Sequence, residues 1–228
     1  MTSGGADDRP VKRRARGPSA GKRRAVLDAA RRLFLERGFA GTSMDDVATG
    51  AGVSKQTVYA NFSDKNRLFT ELIETDVAQL DVARHPLVTG MPNSDNLQRD
   101  LREYARFHLS VVMQPHLLRM RRMLIGEAER FPELARAWFA NGPELSVALF
   151  ASWFAALDRR GLLRIPDPVM AGEHYNWLIL STPVNRAMSE PLDRPLYTRR
   201  QLNHYADEAV RVFLAAYSVH PASTNEGG

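Results

Sequence analysis

Apolar residues along this chain recur three and four positions apart far more often than they alternate. Val26, Leu27, Ala30, Leu33 and Phe34 follow helical spacing and predict a helix from about residue 20. Gly38 is a natural stop, with Phe39 placed for the apolar contact that accompanies such a cap. In the next stretch, GTSMDDVATGAG, Ser43 reads as an N-cap and Asp46, three residues on, as its capping-box partner. Asp45 adds acid to the first turn. That second helix is short, from Met44 to about Thr49, and Gly50 and Gly52 end it. Ser54 caps a third, in which Val58 and Phe62, four apart, share a buried face with Val53 at the turn. Asp64 to about Leu80 reads as a fourth, with Leu68, Phe69, Leu72, Ile73 and Leu80 on its apolar side.

After a break at RHPLVTGMPNSD the helical period resumes. Segments 95–114, Pro115 to about Arg130, Pro132 to Ala140, Pro143 to Arg160, Asp167 to about Met188 and Thr198 to Tyr217 are predicted helices, several with proline at the first position. Pro183 lies inside one of them and is expected to kink it. The expected class is all-α, with no internal repeat.

Composition narrows the function. The 228 residues are 44% hydrophobic and 25% charged, ordinary for a globular chain. There is no Cys, which excludes disulfides, thiolate metal sites and cysteine nucleophiles. Neither a leader-like apolar segment nor a run long enough to span a membrane is visible, so the cytoplasm is the expected location. The net charge of +5 is uneven: residues 1–67 hold 14 Lys or Arg against 7 Asp or Glu, and the remainder is slightly acidic. A basic N-terminal third attracts phosphate, although a solvated tail would show the same charge.

The polar crowding in GVSKQTVYANFSDK then has a reason. Lys55, Gln56, Thr57, Tyr59 and Asn61 fall on the outer faces of the third helix. A short helix, a glycine-containing turn and a polar-faced second helix form a helix-turn-helix, in which side chains at the helix start reach base edges while hydroxyls, lysine and backbone N–H groups hold phosphates.

The order AARRLFLERGF, Gly-Thr-Ser, Ala-Gly-Val-Ser, Thr-Val-Tyr and Phe-Ser-Asp-Lys, over residues 22 to 73, resembles the DNA-binding signature of the tetracycline-repressor family of bacterial transcription regulators. Farther on, GEAERFPELARAWFANGP resembles the C-terminal domain of its AefR-like branch. Residues 1–18, with several Gly and Pro and no periodicity, read as a disordered basic arm, and 219–228 as a frayed tail; between them the resemblance implies a three-helix DNA-binding domain at 19–66 and a helical ligand-binding and dimerisation domain at 67–218. It implies phosphate contacts by Thr42 and Ser43, contacts to bases or nearby phosphates by Lys55, Gln56 and Thr57, and phosphate contacts by Tyr59 and Lys65. Asn61 stands where the family often carries His. A homodimer through about 167–188 and 199–217 is implied as well, with Tyr175, Leu178, Ile179, Val210, Phe213, Leu214 and Tyr217 as its apolar contact.

No enzyme signature is present. His204, Asp207 and Glu208 could share one helical face, but no second ligand group accompanies them, and Ser152 lacks a nucleophile elbow. Tyr104, His108, Met120, Met123, Trp138, Trp153, Asn176 and Trp177 are large or adaptable side chains suited to an apolar effector cavity, or to ordinary core. The expectation is a ligand-responsive repressor that binds a palindromic operator as a homodimer, with no cofactor and no metal. The alternative is a DNA-binding regulator controlled by a protein partner or by nothing.

Overall fold

The computed structural model describes residues 20–79 and 84–219, side chains 77–79 excepted. The expected arm, Leu80 and the tail beyond Val219 lie outside the described residues. The chain is helical throughout: α1 (Ala20–Arg37), α2 (Met44–Ala51), α3 (Lys55–Asn61), α4 (Lys65–Gln79), α5 (Pro86–Gly90), α6 (Leu97–Val112), α7 (Pro115–Glu127), α8 (Pro132–Asn141), α9 (Pro143–Arg159), α10 (Pro168–Ser189) and α11 (Arg199–Tyr217). The only β pairing among the described residues is one isolated bridge, Leu163 with Ser218. The segment expected to be a plain break folds into α5 and a 3₁₀ turn, Met91–Asn93. Its first turn is started by Pro86 and capped by the His85 ring.

Local chemistry sets the boundaries. Ser43 and Asp46 complete a reciprocal capping box, and Thr198 and Gln201 do the same for α11. Gly52 closes α2 in the left-handed region at φ 64°, a conformation that side chains resist. Gly172 serves a different end. A Cβ there would stand 2.8 Å from the Val147 carbonyl oxygen, so its absence lets α9 and α10 pack closely. The α10 helix continues through the buried Pro183.

Two apolar clusters form. The larger joins α6, α9, α10 and α11 around Tyr104, Phe150, Trp153, Phe154, Tyr175 and Phe213. The smaller holds α1–α4 together through Val26, Phe34, Phe39, Val47, Val58, Phe62, Phe69 and Leu72, and takes in Met120, Leu124 and Leu134 from α7 and α8. The N-terminal core therefore runs past residue 66, and α4, α7 and α8 are built into it. The sequence-based dimer contact needs correction. Tyr175, Ile179, Val210 and Phe213 are buried within the chain itself, which leaves them no surface to offer a partner. The large apolar side chains that α10 and α11 do expose are Val169, Met170, Trp177, Leu178 and Val212.

Candidate nucleic-acid interface

Helix α3 is oriented by two anchors. Val58 is fully buried and Phe62 nearly so, which turns the opposite face outward. Ser54 caps the helix, its Oγ accepting from the Thr57 N–H at 3.2 Å and lying 2.9 Å from the Thr57 hydroxyl. Thr57 is thus half-buried and committed to the cap. Asn61 is likewise occupied, donating to the Thr57 carbonyl at 2.6 Å. The outer stripe is Lys55, Gln56, Tyr59 and Ala60, all exposed. Tyr59 keeps 53% of its surface in solvent. The Lys55 ammonium is paired with Asp45 on α2, and that bond raises its pKa. Ser43 is exposed at the N-terminus of α2, with its hydroxyl donating to Asp46 at 2.5 Å.

Two expected phosphate contacts are placed differently. Thr42 is 1% exposed, and its hydroxyl donates to the carbonyls of Leu33 and Gly38 at 3.2 and 3.0 Å. It ties the α1–α2 turn from inside and is not presented to a phosphate. The Lys65 ammonium points inward too, donating to the carbonyls of Phe39 and Thr42 at 2.7 Å each. Burial lowers its pKa, opposed by nearby Glu127 and aided by Arg130. Two of its three N–H groups are therefore committed to the fold.

The residues grouped as an effector cavity separate into three places. Tyr104, His108, Trp153 and Asn176 meet in the larger core, where the Tyr104 and Trp153 rings lie 4.6 Å apart. The His108 Nε2 lies 3.0 Å from the Asn176 Oδ1. Burial pushes His108 down to about 4, against the opposing pull of Asn176, so the ring is neutral at pH 7. Tyr104 is pushed up to about 12 by burial alone. The Asn176 Nδ2 is buried with no hydrogen-bond partner. Met120, Met123 and Trp138 instead belong to the N-terminal core, and Trp177 is exposed on α10. Helical period shows that such positions face inward; it does not say into which of two cores.

Comparison with known proteins agrees with this architecture. A family model described as the C-terminal domain of AefR-like transcriptional repressors matches residues 99–219, and one for bacterial regulatory proteins of the tetR family matches residues 26–72. The chain belongs to the TetR family. It is a transcriptional regulator with a helix-turn-helix DNA-binding domain, and the TetR family and the relatives found are regulators, not enzymes. A TetR-family regulator from Mesorhizobium loti MAFF303099 superposes with a TM-score of 0.78 at 38% identity, over 88% of this chain and 98% of that one. The flavonoid-responsive regulator FrrA does so with a TM-score of 0.71 at 30% identity, over 88% and 98%. Among curated sequences, the regulator AcrR of Shigella flexneri is 36% identical over 32% of this chain and 35% of its own length. EthR of Mycobacterium tuberculosis H37Rv is 36% identical over 38% and 40%. The chain thus spans less than half the length of these curated relatives.

Within this TetR-family frame, sequence reasoning passed over Ala60. It is four residues beyond Gln56 on the exposed stripe, a spacing the sequence displays, but a methyl group carries no polar signal. It also passed over Glu127 and Phe131, which reach the α1–α2 turn. The Glu127 Oε1 accepts from the Ala40 N–H at 3.4 Å, and the Phe131 ring lies 4.9 Å from that of Phe39. Nothing local in the sequence marks these contacts. Among the described residues no group of three or more His, Asp or Glu is placed to hold a metal ion. Asp207 and Glu208 instead pair with Arg106 and Arg211. No described helix is long and apolar enough to cross a membrane.

Proposed function

We propose that the protein is a repressor that binds a palindromic operator as a homodimer and releases it when a small effector binds. The observation that carries the reading is the exposed stripe of α3 over buried Val58 and Phe62. Gln56, Lys55 and Ala60 are suited to base edges and methyl groups in a major groove, and Tyr59 and Ser43 to flanking phosphates. One seven-residue helix reads few bases, so two copies related by a two-fold axis are needed for useful specificity. The exposed Val169, Met170, Trp177, Leu178 and Val212 on α10 and α11 support a self-complementary contact there. Working on chromosomal operators places the protein in the cytoplasm.

The effector site we assign is the His108–Asn176 pair with Tyr104 and Trp153. A neutral histidine beside an amide with an unused N–H, set among aromatic rings, suits an uncharged aromatic molecule with one or two polar groups. The similar protein FrrA is a flavonoid-responsive regulator, which agrees with that class. Footprinting on DNA upstream of the gene, with and without aromatic phenols, tests the reading. A protected palindrome that loses protection with the phenol is expected. Protection indifferent to every phenol removes the effector part, and absence of protection removes the whole.

A further inference from the structure

A groove lies between α6 and α11, with a volume of about 990 Å³. One stripe of α6 supplies most of it: positions 99, 102, 103, 106 and 110 recur at helical spacing on the outer side, continued by Met113 just past the helix end. The opposite side of the same helix, Leu101, Tyr104, Ala105 and His108, is buried in the core. The groove therefore lies on the outer side of α6 and abuts the aromatic cluster at His85 and Phe107, whose rings lie 5.3 and 5.8 Å from that of Tyr104.

Its arginines are not equivalent. Arg99 donates to Asp100 at 2.8 Å. Arg106 is held across the helices by two bonds to Asp207, 2.7 and 2.6 Å. Arg102 and Arg199 have no ion pair among the described residues, and the Arg102 Nε is buried without any hydrogen-bond partner. A guanidinium nitrogen removed from water and left without an acceptor is unfavourable by itself. An oxyanion entering the groove removes that defect, and a planar guanidinium suits carboxylate or phosphate oxygens in pairs. Phe107, Met113 and Leu202 form the apolar part of the lining. Glu103, on the same wall, disfavours a polyanion.

We infer that the α6–α11 groove binds a small organic acid, with its single carboxylate or phosphate on Arg102 and Arg199 and its apolar body against Phe107 and Leu202. The volume is at the upper end of the range for small-molecule sites, so a body of eight carbons or more fits. The inference goes beyond the effector reading above, because that site is neutral and lies on the buried side of α6.

Titration calorimetry on the full chain at low salt tests it, with octanoate, octyl phosphate and 1-octanol as probes. One acid molecule per chain is expected, with no binding of the alcohol. The tighter of the two acids tells a carboxylate ligand from a phosphate one. Arg102→Gln is expected to weaken acid binding about ten-fold or more, the loss typical of one charged hydrogen bond. Arg199→Gln, on the exposed first turn of α11, is expected to weaken it several-fold, and it bears the test alone if Arg102→Gln does not give a cooperative thermal melt. Octanol binding as tightly as octanoate, acid binding unchanged in the folded variants, or no binding of either acid overturns the inference.

Discussion

The Lys65 ammonium stands 4.3 Å from the centre of the Phe39 ring and donates to the Phe39 carbonyl at 2.7 Å. With its second bond, to Thr42, it braces the start of α4 against the turn that delivers α2. Glu127 at the end of α7 and Phe131 before α8 close on the same turn. Residues 38–42 are thus where a displacement of α7 or α8 meets the DNA-binding unit. An effector shifts DNA affinity only through such a difference between arrangements.

Replacing Lys65 by Met removes the brace and leaves two carbonyls short of a donor. A stability loss of about 1–3 kcal/mol is expected, the usual cost of unsatisfied partly buried groups. Urea denaturation of the DNA-free protein measures it. Unchanged stability, with only a flatter salt dependence of DNA binding, would return Lys65 to a purely phosphate-facing role.

Asp45→Asn releases Lys55 from its ion pair and removes a negative charge beside the recognition helix. DNA binding is expected to tighten a few-fold and to become more salt-dependent. Gln56→Ala is expected instead to change sequence preference, by about 1–3 kcal/mol at the base it reads, while Tyr59→Phe weakens all sequences alike. Fluorescence anisotropy across salt concentrations and single-base operator variants separates these outcomes.

His108 makes the fold sensitive to acid. Its folded pKa, about 4, lies below the unfolded value of 6.5. The unfolded chain therefore takes up the proton first as pH falls. The stability that neutral His108 preserves is fully present above pH 6.5 and is lost progressively between 6.5 and about 4. The loss attributable to this group is about 3 kcal/mol. His116, whose pKa burial also lowers, acts in the same direction. Denaturation at pH 7 and pH 4.5 is expected to show a smaller difference for His108→Gln than for the unchanged protein; equal differences would remove His108 as the cause.

Trp177→Glu combined with Leu178→Glu charges the exposed row of α10, and light scattering is expected to fall from twice the chain mass to once. Tyr175→Ala, one turn away but buried with its hydroxyl on the Leu101 carbonyl at 2.7 Å, is expected to lower stability by about 3–5 kcal/mol without singling out assembly. A pair of glutamates that leaves the mass unchanged would place the contact elsewhere.

The elements were legible in the amino-acid sequence because what sets them is local. Ser43 with Asp46, Gly52 in its turn and Ser54 before α3 act within a few residues, and the three- and four-residue apolar period needs no partner to be seen. The outward stripe of α3 follows from the same period, once Val58 and Phe62 are taken as buried. Destination is not local. Whether Lys65 faces a phosphate or the Phe39 carbonyl depends on a turn 26 residues away. Met120 and Tyr104 have the same inward periodicity, yet one joins the DNA-binding core and the other the larger core. Tyr175 and Trp177, two residues apart on α10, differ because α9, α11 and α6 close over Tyr175 while Trp177 stays exposed. Periodicity says that a side chain seeks cover; only the packing of helices distant in sequence decides what covers it.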